Sequence, residues 1–127
     1  MADKKEKRIL IVEDARDIQL LLAGLLKAEG YTVECKSNGH DAIEFLKSSE
    51  NLPSLILLDI MMPDMNGYEF REAQEKHARL ATIPIVVMTA DGNVQSKSMR
   101  VGAHGYLKKP FESVEQVLTT VSRFFPK

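Results

Sequence analysis

Four short apolar segments of this chain end in side chains that could carry out chemistry. These residues are, in chain order, Glu13-Asp14, Asp59, Thr89-Ala90 and Lys108-Lys109-Pro110. Carboxylates crowded together repel one another and need a cation, and a small number of hard oxygens suits Mg²⁺. An ionised aspartate can attack phosphorus, while a metal ion and a lysine neutralise the transferred phosphoryl oxygens. The residue types therefore predict phosphoryl transfer to an aspartate, provided that the four segment ends meet.

The segments that would position these residues alternate between two hydrophobic patterns. Short, mostly branched or alternating runs predict strands at residues 9–12, 31–36, 55–59, 85–89 and 105–108. Apolar residues at helical spacing predict a helix after each strand. The first is marked by apolar residues from Ile18 to Leu26 and closed by Gly30, the second is marked by Ala42, Ile43 and Leu46, and the others lie at 68 to about 77, 94–101 and 114–124. This alternation predicts an α/β fold in which helices cover both faces of a doubly wound parallel sheet. For five (βα) units, the flavodoxin-like strand order 2-1-3-4-5 is expected.

The carboxyl ends of parallel strands meet at one edge of a sheet, where the sites of such folds form. We therefore expect the three acids Glu13, Asp14 and Asp59 to lie near the Thr89 hydroxyl and the Lys109 ammonium. Any one acid at a strand end could simply cap the following helix. The joint arrangement is much harder to explain as capping.

Length and composition restrict the class of protein. The chain has 127 residues and a formal net charge of -1, so we expect one domain over residues 1–127, with its core at about 8–125 and no output domain. The near-neutral charge gives no field for nucleic acid, and no apolar run is long enough to cross a membrane. Cys35 is the single cysteine and reads as a semi-buried apolar residue, which fits a cytoplasmic protein.

Four segments resemble motifs of one family, in its order and spacing. They are residues 11–14 (IVED), 57–67 (LLDIMMPDMNG), 88–90 (MTA) and 102–111 (GAHGYLKKPF). Together they resemble the receiver domain of response regulators in two-component phosphorelay signalling, of the stand-alone kind found in chemotaxis. The resemblance extends from Arg8 to Phe125. One such motif would be weak evidence, but four in register are strong.

The resemblance implies a magnesium site at a phosphoacceptor. Asp59 resembles the phosphoacceptor aspartate. Asp14 resembles the direct ligand of Mg²⁺ (or Mn²⁺), with Glu13 acting mainly through water. Met61 would give its backbone carbonyl to the metal.

The resemblance also implies a switch. Thr89 resembles the hydroxyl residue that moves onto the phosphoryl group, and Lys109 resembles the lysine that pairs with it. The family has a cis peptide before the residue that corresponds to Pro110. Tyr106 resembles the aromatic residue that turns inward or outward with the hydroxyl, although an amphipathic tyrosine could also simply cover the last strand.

Two further positions vary in the family and set rates. Met61, two residues after Asp59, offers a bulky apolar side chain, and Asp91, two residues after Thr89, adds a negative charge. Both could hinder an incoming water or small phosphodonor. We therefore predict a longer phosphoryl lifetime than small polar residues at these positions would give.

The function expected from the resemblance is that of a single-domain response regulator. It would accept a phosphoryl group from a histidine kinase or phosphotransfer protein and signal through the face formed by the fourth helix, fifth strand and fifth helix. It would be a phosphoacceptor with slow autophosphorylation and autodephosphorylation, not a turnover enzyme, and a monomer or weak dimer. The kinase and the downstream protein target stay open.

Three other classes of protein fit the sequence less well. A phosphatase of the haloacid-dehalogenase type would have a second acid two residues after its nucleophile, where this chain has Met61. A flavin or nucleotide carrier would have a glycine-rich or hydroxyl-rich loop after the first strand, where this chain has Glu13-Asp14. A receiver that serves as a phosphorylation-independent adaptor would be expected to have lost part of the site.

Overall fold

Five parallel strands form one sheet in the order β2-β1-β3-β4-β5, as the alternation of patterns predicted. The computed structural model describes residues 7–62, 65–90 and 93–125. The prediction for Asp91 lies outside these residues. The strands are β1 (Arg8–Val12), β2 (Thr32–Lys36), β3 (Leu55–Asp59), β4 (Ile85–Thr89) and β5 (Gly105–Lys108).

Helices cover both faces of this sheet, as expected for a doubly wound fold. They are α1 (Arg16–Ala28), α2 (Gly39–Ser48), α3 (Gly67–Glu75), α4 (Ala78–Ala81), α5 (Val94–Val101) and α6 (Val114–Ser122). Two apolar clusters share the strands because successive side chains point to opposite faces. The first cluster contains Leu10, Ile56 and Val87 and packs against helices α2 to α5. The second contains Ile11 and Leu57 and packs against α1 and α6.

The third helix differs from the prediction. A single helix was expected from residue 68 to about 77, but α3 ends at Glu75 and the short helix α4 follows it. His77 between them has extended backbone angles, with φ -115° and ψ 108°. The buried Gln74 side chain donates hydrogen bonds to the carbonyls of Leu80 (2.8 Å) and Ile83 (3.1 Å). These bonds satisfy the carbonyls of Leu80 in α4 and of Ile83 just beyond it, and so hold against α3 a short helix that the apolar spacing did not predict. The fourth and fifth predicted helices are therefore α5 and α6.

The strand register aligns the ends that matter for the site. Val12 lies opposite both Lys36 and Leu58, Asp59 lies opposite Met88, and Thr89 lies opposite Lys108. The residues that end or follow β1, β3, β4 and β5 consequently share one edge of the sheet. Among the described residues, no helix is both long and apolar enough to cross a bilayer.

Candidate functional site

The carboxyl edge of the sheet carries an open cleft, and most of the predicted site residues line it. The cleft is lined by Glu13, Asp14, Ala15, Asp59, Met61, Thr89, Ala90 and Lys109. The structure thus brings together the acids, the hydroxyl and the lysine from four strand ends. It does not place Tyr106 in this cleft, and Asp91 is outside the described residues.

Three carboxylates form a cluster in the cleft. Glu13, Asp14 and Asp59 each offer an oxygen that lies within 4.8 Å of the other two. Glu13 and Asp59 are buried, at 0% and 3% exposure, whereas Asp14 is exposed. Buried carboxylates at this spacing strongly favour a cation between them, and hard oxygen donors with an open side for water are what Mg²⁺ or Mn²⁺ requires. The donor set therefore fits a hard divalent metal ion.

The Glu13 side chain is held at both of its oxygens. One oxygen accepts the backbone N–H of Ala15 at 3.1 Å, and the other lies 2.7 Å from the Lys109 ammonium. The backbone of Glu13 is also anchored, because its N–H donates to the carbonyl of Lys36 at 3.0 Å. This acid is therefore fixed in place before any ligand binds.

Gln19 is a site residue that sequence reasoning missed. It is 2% exposed on α1, and its side-chain amide donates to the Glu13 carbonyl and, at 3.1 Å, to the Ser37 hydroxyl. It thereby ties the loop after β1 to the loop after β2. A signal was present, because Gln19 precedes the buried Leu22 and Leu26 by three and seven residues, which is the spacing of one helix face.

The two oxygens of Asp59 have different partners. Oδ1 accepts the backbone N–H of Met61 at 3.1 Å, and Oδ2 lies 3.6 Å from Nζ of Lys109. Burial, and next the charge of Glu13, raise the pKa of Asp59 to about 7. Lys109 and the Met61 N–H oppose this rise but do not cancel it. A cation in the cleft would favour the ionised carboxylate.

Lys109 connects the acids with the ends of two strands. Its side chain is only 17% exposed and approaches both Glu13 and Asp59. Burial by itself would lower the pKa of Lys109, but the hydrogen bond to Glu13 and the charge of Asp59 outweigh burial, so the pKa lies above its ordinary value. Its backbone N–H donates to the Thr89 carbonyl at 2.8 Å, and its peptide bond to Pro110 is cis.

Three other predicted residues differ in exposure. Thr89 is completely buried at the end of β4. Met61 is 63% exposed at the mouth of the cleft, and Tyr106 is 43% exposed on β5. Tyr106 lies in a separate groove with residues of α6, among them Gln116 and Thr120. The structure thus shows Tyr106 in an outward position.

Comparison with known proteins agrees with this geometry. The family model described as "Response regulator receiver domain" matches residues 9–122. The chemotaxis protein CheY4 of Vibrio cholerae is 29% identical and matches 95% of this chain and 100% of its own, with a TM-score of 0.85. A putative response regulator from Chloroflexus aurantiacus is 29% identical over 94% of this chain and 98% of its own, with a TM-score of 0.84. The signal receiver domain of a histidine kinase from Syntrophus aciditrophicus is 32% identical over 93% of this chain and 89% of its own, with a TM-score of 0.81. From its site, its fold and these matches, the chain belongs to the response regulator receiver domain family.

Proposed function

We propose that this protein accepts a phosphoryl group on Asp59 from a histidine kinase or phosphotransfer protein, with Mg²⁺ or Mn²⁺ bound. The observation that carries the proposal is the setting of Asp59 in the cleft. This buried carboxylate has one oxygen held by the Met61 N–H and the other facing Lys109, beside two further acids. Such a group is oriented for attack along the open side of the cleft.

The reaction follows from these positions. An oxygen of Asp59 attacks phosphorus, a new P–O bond forms, and the P–N bond of the phosphohistidine breaks, so that its electron pair stays with the leaving imidazole. Lys109 neutralises charge on the transferred oxygens, and the Thr89 hydroxyl donates a hydrogen bond to one of them. Asp14, Asp59 and the Met61 carbonyl would hold a divalent metal ion, with Glu13 nearby, and the ion would supply positive charge near the transferred oxygens.

The cation requirement has a physical basis in the pKa of Asp59. With that pKa at about 7, a large fraction of the molecules carries a protonated Asp59 at neutral pH, and the protonated carboxyl group cannot act as a nucleophile. A divalent cation among three carboxylates lowers the pKa by attraction. We therefore expect phosphorylation to depend on metal most strongly at neutral and mildly acidic pH.

The output proposed for this site is a protein–protein contact. Phosphorylation adds charge and three acceptor oxygens at Asp59. The hydrogen bond from the backbone N–H of Lys109 to the carbonyl of Thr89 links the site to the ends of β4 and β5. A shift there would alter the output face, defined as α5, β5 and α6, where Met99, Tyr106 and Val114 are exposed. A cytoplasmic monomer or weak dimer that binds a protein target through this face is consistent with these features.

A turnover phosphatase is less well supported. The residue two positions after Asp59 is Met61, whose exposed side chain offers no acid or base. Hydrolysis of the aspartyl phosphate would consequently be slow, which suits a signal and not a catalytic cycle.

The proposal is tested by incubation with acetyl phosphate in the presence of Mg²⁺ or EDTA, followed by intact-protein mass spectrometry. Wild-type protein should gain one phosphoryl group only with Mg²⁺, and Asp59→Asn should gain none. Asp41→Asn is the matched control, since Asp41 is an exposed acid on α2. No mass gain in the wild type with Mg²⁺, or an equal gain in Asp59→Asn, would contradict the proposal.

A further inference from the structure

Gly39 and Met65 meet where α2 begins beside the chain that follows Asp59. We infer that Gly39 is a positioning residue for the metal site, because its lack of a side chain lets Met65 hold the segment that carries the Met61 carbonyl. This inference rests on the proposed function, in which that carbonyl binds the metal. Nothing in the sequence pattern alone connects Gly39 with the metal.

The contact is too close for any side chain at position 39. A Cβ atom on Gly39 would lie 2.6 Å from Sδ of Met65 and 2.9 Å from both Cβ and Cγ. The sulfur could swing away, since it is near the free end of a flexible side chain. The Met65 Cβ is attached directly to the backbone, so the overlap there is relieved only when the backbone at residue 65 moves.

Backbone conformation does not explain the glycine. Among the described residues, the glycines with positive φ are Gly30 and Gly102. An alanine at position 39 would thus be acceptable to the backbone at the start of α2. The close approach of Met65 is what requires glycine here.

A displacement of Met65 would move Met61, because Ile60 and Gly67, which stand before and after these two residues, are held together. The Gly67 N–H donates to the Ile60 carbonyl at 2.9 Å, and a Cβ on Gly67 would lie only 3.0 Å from the Ile60 Cα. Met65 is partly buried against the first apolar cluster. Met61 and Met65 both lie between Ile60 and Gly67, so with these two ends held together we expect a displacement of Met65 to change the position of Met61, whose N–H donates to Asp59.

The test is the affinity of the full chain for Mg²⁺, measured by isothermal titration calorimetry without any phosphodonor. Gly39→Ala should weaken binding by about tenfold, the lower end of the effect seen when groups that orient metal ligands are altered. The amide resonances of Met61 and Asp59 should shift in the same variant before metal is added. A structural role elsewhere would leave these two resonances unchanged.

Gly24→Ala is the matched control. Gly24 lies in α1, and a Cβ there would meet no atom within 4 Å. This variant should bind Mg²⁺ as the wild type does. Thermal melting of each variant checks that binding is compared between folded proteins.

A second pair of variants decides whether Met65 is the route, even if Gly39→Ala alone does not fold. Met65→Gly removes the Sδ, Cγ and Cβ atoms that the new methyl would overlap, so Gly39→Ala should weaken Mg²⁺ binding much less in that background. Equal weakening in both backgrounds, or wild-type affinity in Gly39→Ala, would overturn the inference. If the wild type itself does not bind Mg²⁺, the proposed function fails and the inference fails with it.

Discussion

In the proposed reaction Asp59 must be ionised in order to attack phosphorus, yet it lies 3% exposed beside the buried carboxylate of Glu13. Lys109 offsets part of this cost from 3.6 Å, and the Met61 N–H offsets a further part. The remaining imbalance is visible in the raised pKa of Asp59. The site is therefore under electrostatic strain without a metal, and this strain has a measurable effect on stability.

The first prediction concerns stability against pH without metal. The pKa of Asp59 is about 7 in the folded protein and near 4 in an unfolded chain. Between these values the folded state holds a proton that the unfolded state has released, so the free energy of unfolding falls as pH rises from about 4 to about 7. The loss attributable to Asp59 is at most about 4 kcal/mol.

Urea unfolding in EDTA at several pH values checks this prediction against Asp59→Asn, which cannot titrate. The variant should be the more stable protein at pH 8, and its advantage should shrink toward pH 4. Added Mg²⁺ should stabilise the wild type more than the variant. A constant difference between the two proteins across the whole pH range would show that Asp59 titrates normally.

The second prediction concerns Met61 and the phosphoryl lifetime. Its side chain is 63% exposed and lines the cleft beside Asp59, where it can obstruct an attacking water. Met61→Asn should raise the rate of dephosphorylation by roughly tenfold, which equals about 1.4 kcal/mol of barrier.

Loss of the phosphoryl group is followed by mass spectrometry after the donor is removed. Leu20→Asn, which changes an exposed apolar residue on α1, should leave the rate as it is. An unchanged rate in Met61→Asn would show that the methionine does not shield the phosphoryl group.

At the scale of the helix, two glycines near α1 allow backbone conformation to be separated from packing. A Cβ on Gly24 or on Gly30 would meet no atom within 4 Å. Gly24 is inside the helix, whereas Gly30 follows it with φ at +94°. Only the backbone distinguishes the two positions.

The third prediction follows from this contrast. Gly24→Ala should stabilise the protein by about 0.5–1 kcal/mol, because glycine is a poor helix former. Gly30→Ala should destabilise it by about 1–2 kcal/mol, because an L residue is disfavoured at positive φ. Urea unfolding of both variants measures the two effects, and effects of the same sign would contradict the assignment.

Some of the helices and strands could be predicted from the sequence, and others could not. Strands β1, β3 and β4 were predicted because continuous apolar runs of this length are typical of strands buried on both faces. The short helix α4 was not predicted, because it depends on hydrogen bonds from the Gln74 side chain to the carbonyls of Leu80 and Ile83. Leu21 is an apolar residue at helical spacing in α1, yet it is 49% exposed, whereas the polar Gln19 is buried. A hydropathy pattern cannot anticipate that a buried amide is needed by the Glu13 carbonyl.

The site was predictable at the level of which residues meet, because parallel strands place their ends together. The contact of Gly39 with Met65 was not predictable, because it depends on the distance between the start of α2 and the residues that precede α3. Phe124 and Phe125 illustrate the same limit. Although they are neighbours in the sequence, both pack partly buried against the second apolar cluster, since α6 ends at Ser122 before them.

At the scale of the whole molecule, the site and the output face are joined through the ends of β4 and β5. Tyr106 is 43% exposed in the present state. The fourth prediction is that beryllofluoride, which mimics the phosphoryl group, makes Tyr106 less exposed as Thr89 is drawn toward Asp59.

This change can be followed by ¹⁹F NMR of protein labelled with fluorotyrosine, with Tyr106→Phe to assign the resonance. The Tyr106 signal should shift and lose its sensitivity to a soluble quencher. The signals of Tyr31 and Tyr68 serve as internal references. A Tyr106 signal that stays unchanged while beryllofluoride is bound would exclude the aromatic switch.

The ion pair between Lys109 and Glu13 joins residues that are 96 positions apart in the chain. Synthesis proceeds from the N-terminus, so the acids after β1 and at the end of β3 are made well before Lys109. The ion pair can form only once the last elements of the domain have emerged and the domain folds as a unit. A chain interrupted before β5 would carry the aspartate but lack the cation that neutralises an incoming phosphoryl group. If Asp59 is phosphorylated as proposed, an incomplete or misfolded chain that lacks this ion pair should accept the phosphoryl group poorly and should therefore give no signal.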